Sequence, residues 1–248
     1  MKQLASLFLL TMVIAISCRK KSDTAATNVP VTISIQHAAG AAPLQLGTQV
    51  TIASGDPVTI NVFKYYLSNF SVVYDNNEEQ QIPDSYFLVD EANAASKSFS
   101  IPVKAGQVKT LRFWIGVDST RNVSGVQTGA LDPANGMFWT WNSGYIFAKL
   151  EGRSFVSTAP LQAVTYHIGG FRTGQNALRQ VSIPFSSSLP ITTGSRFNII
   201  LQADALKWFT GAANISIGTE STTMEPGALA LKIANNYANM FSLREVQY

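Results

Sequence analysis

Short segments in which apolar and polar residues alternate recur along most of this 248-residue chain, and they restrict its fold more than any other feature. In the first, residues 31–37, valine and isoleucine occupy every second position before the segment ends at His37. Alternation with a period of two predicts a β-strand with one buried face. Similar segments lie at 58–74, 86–90, 98–101, 110–117, 164–168, 180–185 and 195–203. Because glycine, proline and asparagine separate them, we expect an all-β protein built as an antiparallel β-sandwich.

Two segments towards the C-terminus have a helical pattern instead. Residues 204–209 are long enough for a single turn. Within residues 227–240, the apolar residues that recur at helical spacing are Leu231, Ala234, Tyr237 and Ala238. The sequence therefore predicts one or two short helices near the C-terminus of the sandwich.

The N-terminus resembles a bacterial lipoprotein signal. Lys2 precedes an apolar stretch, residues 4–16, which is too short for a mature membrane span. The small residues Ala15 and Ser17 stand just before Cys18, which is the only cysteine of the chain. We expect signal-peptide cleavage after residue 17 and acylation of Cys18, giving a protein lipid-anchored to a bacterial membrane and facing the periplasm or the cell surface. An ordinary secretory signal with an incidental cysteine is the alternative.

The composition after Cys18 limits the chemistry of the mature protein. Residues 18–28 are small and polar and are typical of a flexible tether, so residues 29–248 form the expected single domain. Without a further cysteine this domain has no disulfide, no thiolate metal site and no cysteine nucleophile. The net charge is +3 and charged residues are 13% of the chain, so nothing indicates a nucleic-acid partner.

An aromatic segment at residues 136–152 is the most distinctive stretch of the domain. Trp139 and Trp141 are two apart, so a β-strand would place both indoles on one face, with Tyr145 and Phe147 on the same side. Aromatic side chains on one face usually belong to a sandwich core. The alternative is that one indole belongs to a reactive or metal-binding site.

A long segment rich in turn-forming residues, 116–136, leads into this strand, and it is either a functional loop or a connection. Asp118, Asp132 and Glu151 flank the aromatic segment. They could bind a hard cation, although turn formation and solvation explain them equally well. The chain lacks the serine nucleophile elbow and the zinc-protease helix motif, and no glycine-rich loop opens a helix.

The chain has two histidines, His37 and His167. Histidine is a common metal ligand and the usual general base near neutral pH. His37 continues the apolar face of residues 31–37, which favours a hydrogen-bonded core residue. His167 stands before Gly169 and Gly170, which allow close backbone approach. Both histidines end a predicted strand, which is compatible with a shared site where the two strand ends meet.

Several segments of the chain, in order, resemble the MbnP-like copper-binding proteins, a family of bacterial secreted proteins and lipoproteins. These segments are residues 63–69, 113–118, 129–133, 136–152, 166–170 and 232–237, followed by Met240 and Phe241. The resemblance implies an all-β domain that binds one copper ion through two histidines and a kynurenine formed by oxidation of a tryptophan. It also implies, as a partner, a modifying di-haem enzyme related to cytochrome c peroxidases.

Carried onto this chain, the resemblance implies His37 and His167 as copper ligands and Trp139 or Trp141 as the oxidised tryptophan, with Trp114 a weaker third. Two imidazoles are too few for tight, selective binding, so a third ligand is needed. The candidates for the third ligand are kynurenine, water, Met137 and Met224. The candidates for orienting the imidazoles are Tyr145, Asn142 and Glu151.

These expectations together describe a membrane-anchored, non-enzymatic protein for copper acquisition or handling. The alternative is a carbohydrate- or peptide-binding surface lipoprotein that uses exposed Trp139, Trp141 and Tyr65 as a stacking platform. A hydrolase is a third class, but the sequence assembles no catalytic set for it.

Overall fold

Strands make up about half of the residues that the computed structural model describes, which are 28–140 and 144–248. The strands are β1 (Asn28–Ala39), β2 (Ala42–Pro43), β3 (Gln49–Thr51), β4 (Pro57–Tyr74), β5 (Glu79–Gln81), β6 (Tyr86–Asp90), β7 (Ser98–Lys104), β8 (Gly106–Ile115), β9 (Phe138–Thr140), β10 (Gly144–Arg153), β11 (Ala163–Gly169), β12 (Arg179–Ile191), β13 (Phe197–Asp204), β14 (Thr222–Thr223) and β15 (Phe241–Gln247). The α-helices in these ranges are α1 (Ser119–Val123) and α2 (Ala228–Tyr237). Short 3-10 helices lie at Ala94–Lys97, Gly129–Leu131, Pro133–Asn135, Pro160–Gln162 and Ala205–Trp208.

Several sequence predictions fall outside these ranges. They are the signal peptide at residues 1–17, the acylated Cys18 with all but the last residue of the tether, Trp141 and Asn142. Within the ranges that are described, no helix is both long and apolar enough to cross a membrane.

The strands form two sheets that pack face to face. The small sheet has the order β15-β13-β1-β2, and β7 also pairs with β1. The large sheet has the order β12-β8-β4-β10-β11-β14, with β3, β5 and β6 also paired to β4 and β9 paired to β10. This arrangement confirms the β-sandwich. It differs from the expected purely antiparallel pattern, because β1 pairs with β13 in parallel and β11 with β14 in parallel.

Aromatic side chains fill the space between the two sheets. Phe241 of the small sheet packs edge-on against Tyr65 and Phe113 of the large sheet, with ring centroids 5.7 Å and 5.0 Å apart. The other face of the large sheet is covered too, since Tyr66 of β4 packs edge-on with Tyr145, whose hydroxyl donates to the carbonyl of the buried Leu131 in the 116–136 segment. A sheet covered on both faces explains why β4 contains consecutive buried residues and not a strict alternation.

The C-terminal helices confirm the sequence prediction. Helix α2 lies inside residues 227–240, and the single turn at residues 204–209 is the 3-10 helix Ala205–Trp208. Asp204 caps this turn, because its side chain accepts a hydrogen bond from the backbone N–H of Leu206.

Candidate functional site

His37 lies in the core between the two sheets and is 6% exposed. Its Nδ1 is 2.6 Å from Oε2 of Glu91, and its Nε2 is 2.7 Å from the hydroxyl of Tyr65. The edge of its ring packs on Phe63, with centroids 5.0 Å apart. Both ring nitrogens therefore have hydrogen-bond partners, as the apolar face of residues 31–37 favours.

The protonation of this group follows from its partners. An ionised carboxylate only accepts hydrogen bonds, so Nδ1 of His37 donates to Glu91 and Nε2 accepts from Tyr65. Burial raises the pKa of the Tyr65 phenol well above its ordinary value, and the charge of Glu91 raises it further. Burial also pushes the pKa of Glu91 upwards, but hydrogen bonds from His37 and Lys97 outweigh it and lower that pKa overall. A metal could reach His37 only by breaking one of these bonds.

A cleft of about 570 Å³ opens beside His37, where the edge of β1 is free between its pairings with β7 and β2. Glu91, Lys97 and Arg244 supply the charged groups of its wall. Lys97 and Glu91 pair with each other at 2.8 Å, so the charges of the cleft are partly neutralised within it.

His167 lies on β11 in a second cluster of polar groups. Its Nε2 is 2.7 Å from Oε1 of Glu151 on the neighbouring strand β10. Nζ of Lys149 is 3.8 Å from the same carboxylate oxygen. Burial lowers the pKa of His167 and outweighs the hydrogen bond that the ring donates to Glu151, and Lys149 lowers it further, which favours the neutral ring. The side chain of His167 is 14% exposed and that of Glu151 is 37% exposed.

The two histidines lie on opposite faces of the large sheet. Across β11, β10 and β4, His167 pairs with Lys149 and Lys149 with Lys64, so these three side chains share one face. Tyr65 follows Lys64 in β4 and therefore points to the other face, where it binds His37. The structure does not bring the two imidazoles together, so a single copper site formed by both, as the resemblance implied, is not assembled in this geometry.

Trp139 lies on the same face as His167. Gly169 is two residues after His167 in β11, and a Cβ added there would be 2.7 Å from Cζ3 of Trp139. The indole therefore lies directly on the backbone of Gly169. Its Nε1 is buried, and among the described residues it has no hydrogen-bond partner. Sequence reasoning named Trp139 and His167 separately, but only the fold shows that the indole lies on Gly169, two residues from His167 and on the same face of β11.

The other tryptophans of the described ranges are placed differently. Trp208 is fully buried, and its Nε1 donates to Sδ of Met240 at 3.4 Å. Trp114 lies on β8, which is separated from β10 by β4 in the strand order of the large sheet. Trp139 is thus the tryptophan, among the described residues, whose contact with β11 brings it beside His167.

Most other candidates from the sequence have structural roles. Asp118 caps α1, Asp132 caps the 3-10 helix Pro133–Asn135, and the Tyr145 hydroxyl donates to the carbonyl of Leu131. Met137 is fully buried, whereas Met224 is exposed. The described residues contain no group of three His, Cys, Asp or Glu side chains able to hold a metal. A metal at His167 therefore needs a ligand of another kind.

The stacking platform of the alternative function is not formed as predicted. Tyr65 is fully buried between the sheets, and Trp139 is partly buried against the core. Of its three aromatic residues, neither of the two that the structure describes is exposed.

Lys149 is the part of this cluster that sequence reasoning missed. Its Nζ donates to the carbonyl oxygen of Gly136 at 2.7 Å, in addition to its contact with Glu151. Burial lowers its pKa, although Glu151 opposes that shift. The spacing of Lys149 and Glu151, two apart in a strand, was the signal that they share a face.

The comparisons with known proteins agree with this fold. The sequence profile of the MbnP family matches residues 28–226. The structure of MbnP from Methylosinus trichosporium is similar, with 14% sequence identity and a TM-score of 0.50 over 73% of this chain and 77% of that chain. At this identity the structural likeness concerns the fold alone. No curated protein sequence matches the chain.

Proposed function

Because this chain belongs to the MbnP family, we propose that it is a copper-binding protein, without enzymatic activity, that acquires or handles copper at a bacterial membrane. The lipid on Cys18 holds the domain at the membrane, facing the periplasm or the cell surface. The single observation that supports a metal site is the position of Trp139 beside His167 on one face of β11.

The donor groups on this face suit copper. A neutral imidazole such as that of His167 is a good copper ligand. A kynurenine made from Trp139 would add an aromatic amine and a ketone oxygen. Either group could be the further copper ligand that the nearby carboxylate and histidine side chains do not supply. The buried, unpaired Nε1 of Trp139 is consistent with such a conversion, since its hydrogen bond is already missing among the described residues. Trp141 is the second candidate for the oxidation.

His37 is the proposed ligand that this geometry favours least. Its nitrogens are both engaged in the core, on the far side of the large sheet from His167. The proposal therefore centres on His167, and His37 provides a matched control in the same protein.

A copper titration separates the two histidines. We expect one copper ion per chain in the native protein, the same stoichiometry in His37→Gln, and loss of tight binding in His167→Gln. Metal analysis after gel filtration gives the stoichiometry, a competition titration gives the affinity, and circular dichroism shows that each variant is folded. Unchanged stoichiometry and affinity in both variants would refute the proposal that these histidines bind copper. Loss in a folded His37→Gln alone would give the ligand role to His37.

Peptide mass spectrometry of the native protein tests the modification. We propose that a secreted di-haem enzyme related to cytochrome c peroxidases oxidises the tryptophan, so the protein must come from the organism that makes that enzyme. The expected result is a kynurenine on Trp139 or Trp141. Unmodified indoles at both positions in copper-loaded native protein would remove the kynurenine from the proposal.

A further inference from the structure

The contact between His167 and Glu151 determines which nitrogen of the imidazole is free. Nε2 lies 2.7 Å from the carboxylate. Because an ionised carboxylate has no proton to donate, Nε2 must carry the hydrogen. A neutral imidazole has a single N–H, so Nδ1 is left with its lone pair. Within the described residues, no hydrogen bond to Nδ1 occupies that lone pair.

We propose that Glu151 is a positioning residue, which holds His167 as the Nε2–H tautomer and presents Nδ1 as the copper-binding atom. This inference rests on the proposed function. A carboxylate that accepts from the second nitrogen of a ligating imidazole fixes the tautomer and the orientation of the ring and makes it a stronger ligand.

Lys149 connects this pair to the tryptophan segment. Its Nζ lies 3.8 Å from Oε1 of Glu151 and donates to the carbonyl of Gly136, three residues before Trp139. One ammonium group thus contacts the carboxylate that orients the histidine and the backbone that leads to the indole. The side chain of Lys149 is largely buried, which makes these contacts less screened by solvent than a surface pair.

Positioning and folding can be separated at this residue. The side chain of Glu151 is 37% exposed, and exposed ion pairs contribute little to stability. Glu151→Ala should therefore leave the fold intact while removing the acceptor from Nε2. Glu151→Gln keeps a carbonyl oxygen that can accept the same hydrogen bond, and it serves as the conservative control.

The tautomers can be read in the metal-free protein by nuclear magnetic resonance of ¹⁵N-labelled histidine at neutral pH. The chain has two histidines, and the spectrum of His167→Gln assigns them. We expect opposite tautomers, with the proton on Nε2 in His167 and on Nδ1 in His37, since each donates to its own carboxylate. Glu151→Gln should keep the His167 tautomer, and Glu151→Ala should give a mixture. A native His167 protonated on Nδ1 would overturn the inference.

Copper affinity gives the second measurement. We expect Glu151→Ala to weaken copper binding about 10- to 100-fold and Glu151→Gln to restore most of it. If copper binding requires His167 but Glu151→Ala binds as the native protein does, the positioning role is refuted. Equal weakening in both variants would make Glu151 a direct ligand and would also refute it. If the native protein binds no copper, the proposed function fails, while the tautomers still report whether Glu151 fixes the ring.

Discussion

Replacement of Gly169 by alanine tests the close approach of Trp139 to β11. Gly169 pairs with Ile146 in the β10–β11 ladder, and its backbone conformation is one that any residue adopts. The consequence of Gly169→Ala therefore comes from space alone. The new methyl group would stand 2.5 Å from the carbonyl oxygen of Tyr145 and 2.7 Å from Cζ3 of Trp139.

Both contacts are too short to persist. The carbonyl of Tyr145 belongs to β10, so the strand itself has to move, and the indole has to leave Gly169. Insertion of one extra carbon into a packed site costs about 1–3 kcal/mol. Alanine also lowers the conformational entropy of the unfolded chain relative to glycine, which stabilises the folded protein by about 0.4–1 kcal/mol. We expect a net loss of about 1–2 kcal/mol, or a decrease in melting temperature of about 2–8 °C for a domain of this size.

Gly218→Ala is the matched control. The nearest atoms to its added Cβ are 3.7 Å and 3.9 Å away, which is ordinary contact, and its backbone requires no left-handed conformation. We expect it to be neutral or slightly stabilising. Urea unfolding and thermal melting measure both variants, and tryptophan fluorescence reports movement of the indole. If Gly169→Ala is as stable as Gly218→Ala, with an unchanged spectrum, Trp139 does not lie on β11 and the proposed metal site loses its supporting observation.

Two further predictions concern the core around His37. Tyr65→Phe leaves the buried Nε2 of His37 without its donor and should destabilise the protein by about 1–3 kcal/mol in urea unfolding. The adjacent Tyr66→Phe removes a buried hydroxyl that has no partner among the described residues and should be neutral or stabilising, and equal losses in both variants would contradict the bonding assigned here. Because the pKa of Glu91 is lowered from 4.5 in the folded protein, its contribution to stability is present above pH 4.5 and is lost as the pH falls through the folded value. Glu91→Gln should flatten this acid dependence in unfolding curves, whereas an unchanged slope would show that Glu91 does not carry it.

The strands and the C-terminal helix could be predicted because their signals are local. Apolar residues alternate in residues 31–37 because one face of β1 is buried. In α2 they recur at the spacing of one helical turn because one side of the helix is buried. The parallel pairing of β1 with β13 has no such signal. It brings together strands that are far apart in the chain, and the packing of two sheets decides it. The sequence therefore predicts which segments are strands better than it predicts their partners.

The candidate site illustrates the same limit. His167 and Trp139 were recognisable as candidate residues by type, but the place of the indole on Gly169, two residues from His167, depends on the pairing of β9 with β10. Their distance from His37 depends on register. A shift of one residue between β10 and β11 would have turned His167 to the core face. Residue types therefore named the candidates, and the pairing of strands decided which of them share a face.

Both ring nitrogens of His37 are hydrogen-bonded in the core, so His167 is the histidine left to bind a metal. A domain without cysteine and with one available imidazole cannot form a tight copper site from the usual histidine and thiolate ligands. The described residues also contain no cluster of three acidic or histidine side chains that would replace them. If this protein binds copper tightly at His167, its remaining ligands must therefore come from a group of another type, and the partly buried indole beside that histidine is the group that the fold supplies. The copper titration and the mass analysis of Trp139 are for this reason linked: we expect tight binding where a tryptophan is modified, and tight binding with unmodified indoles would assign the third ligand to another group.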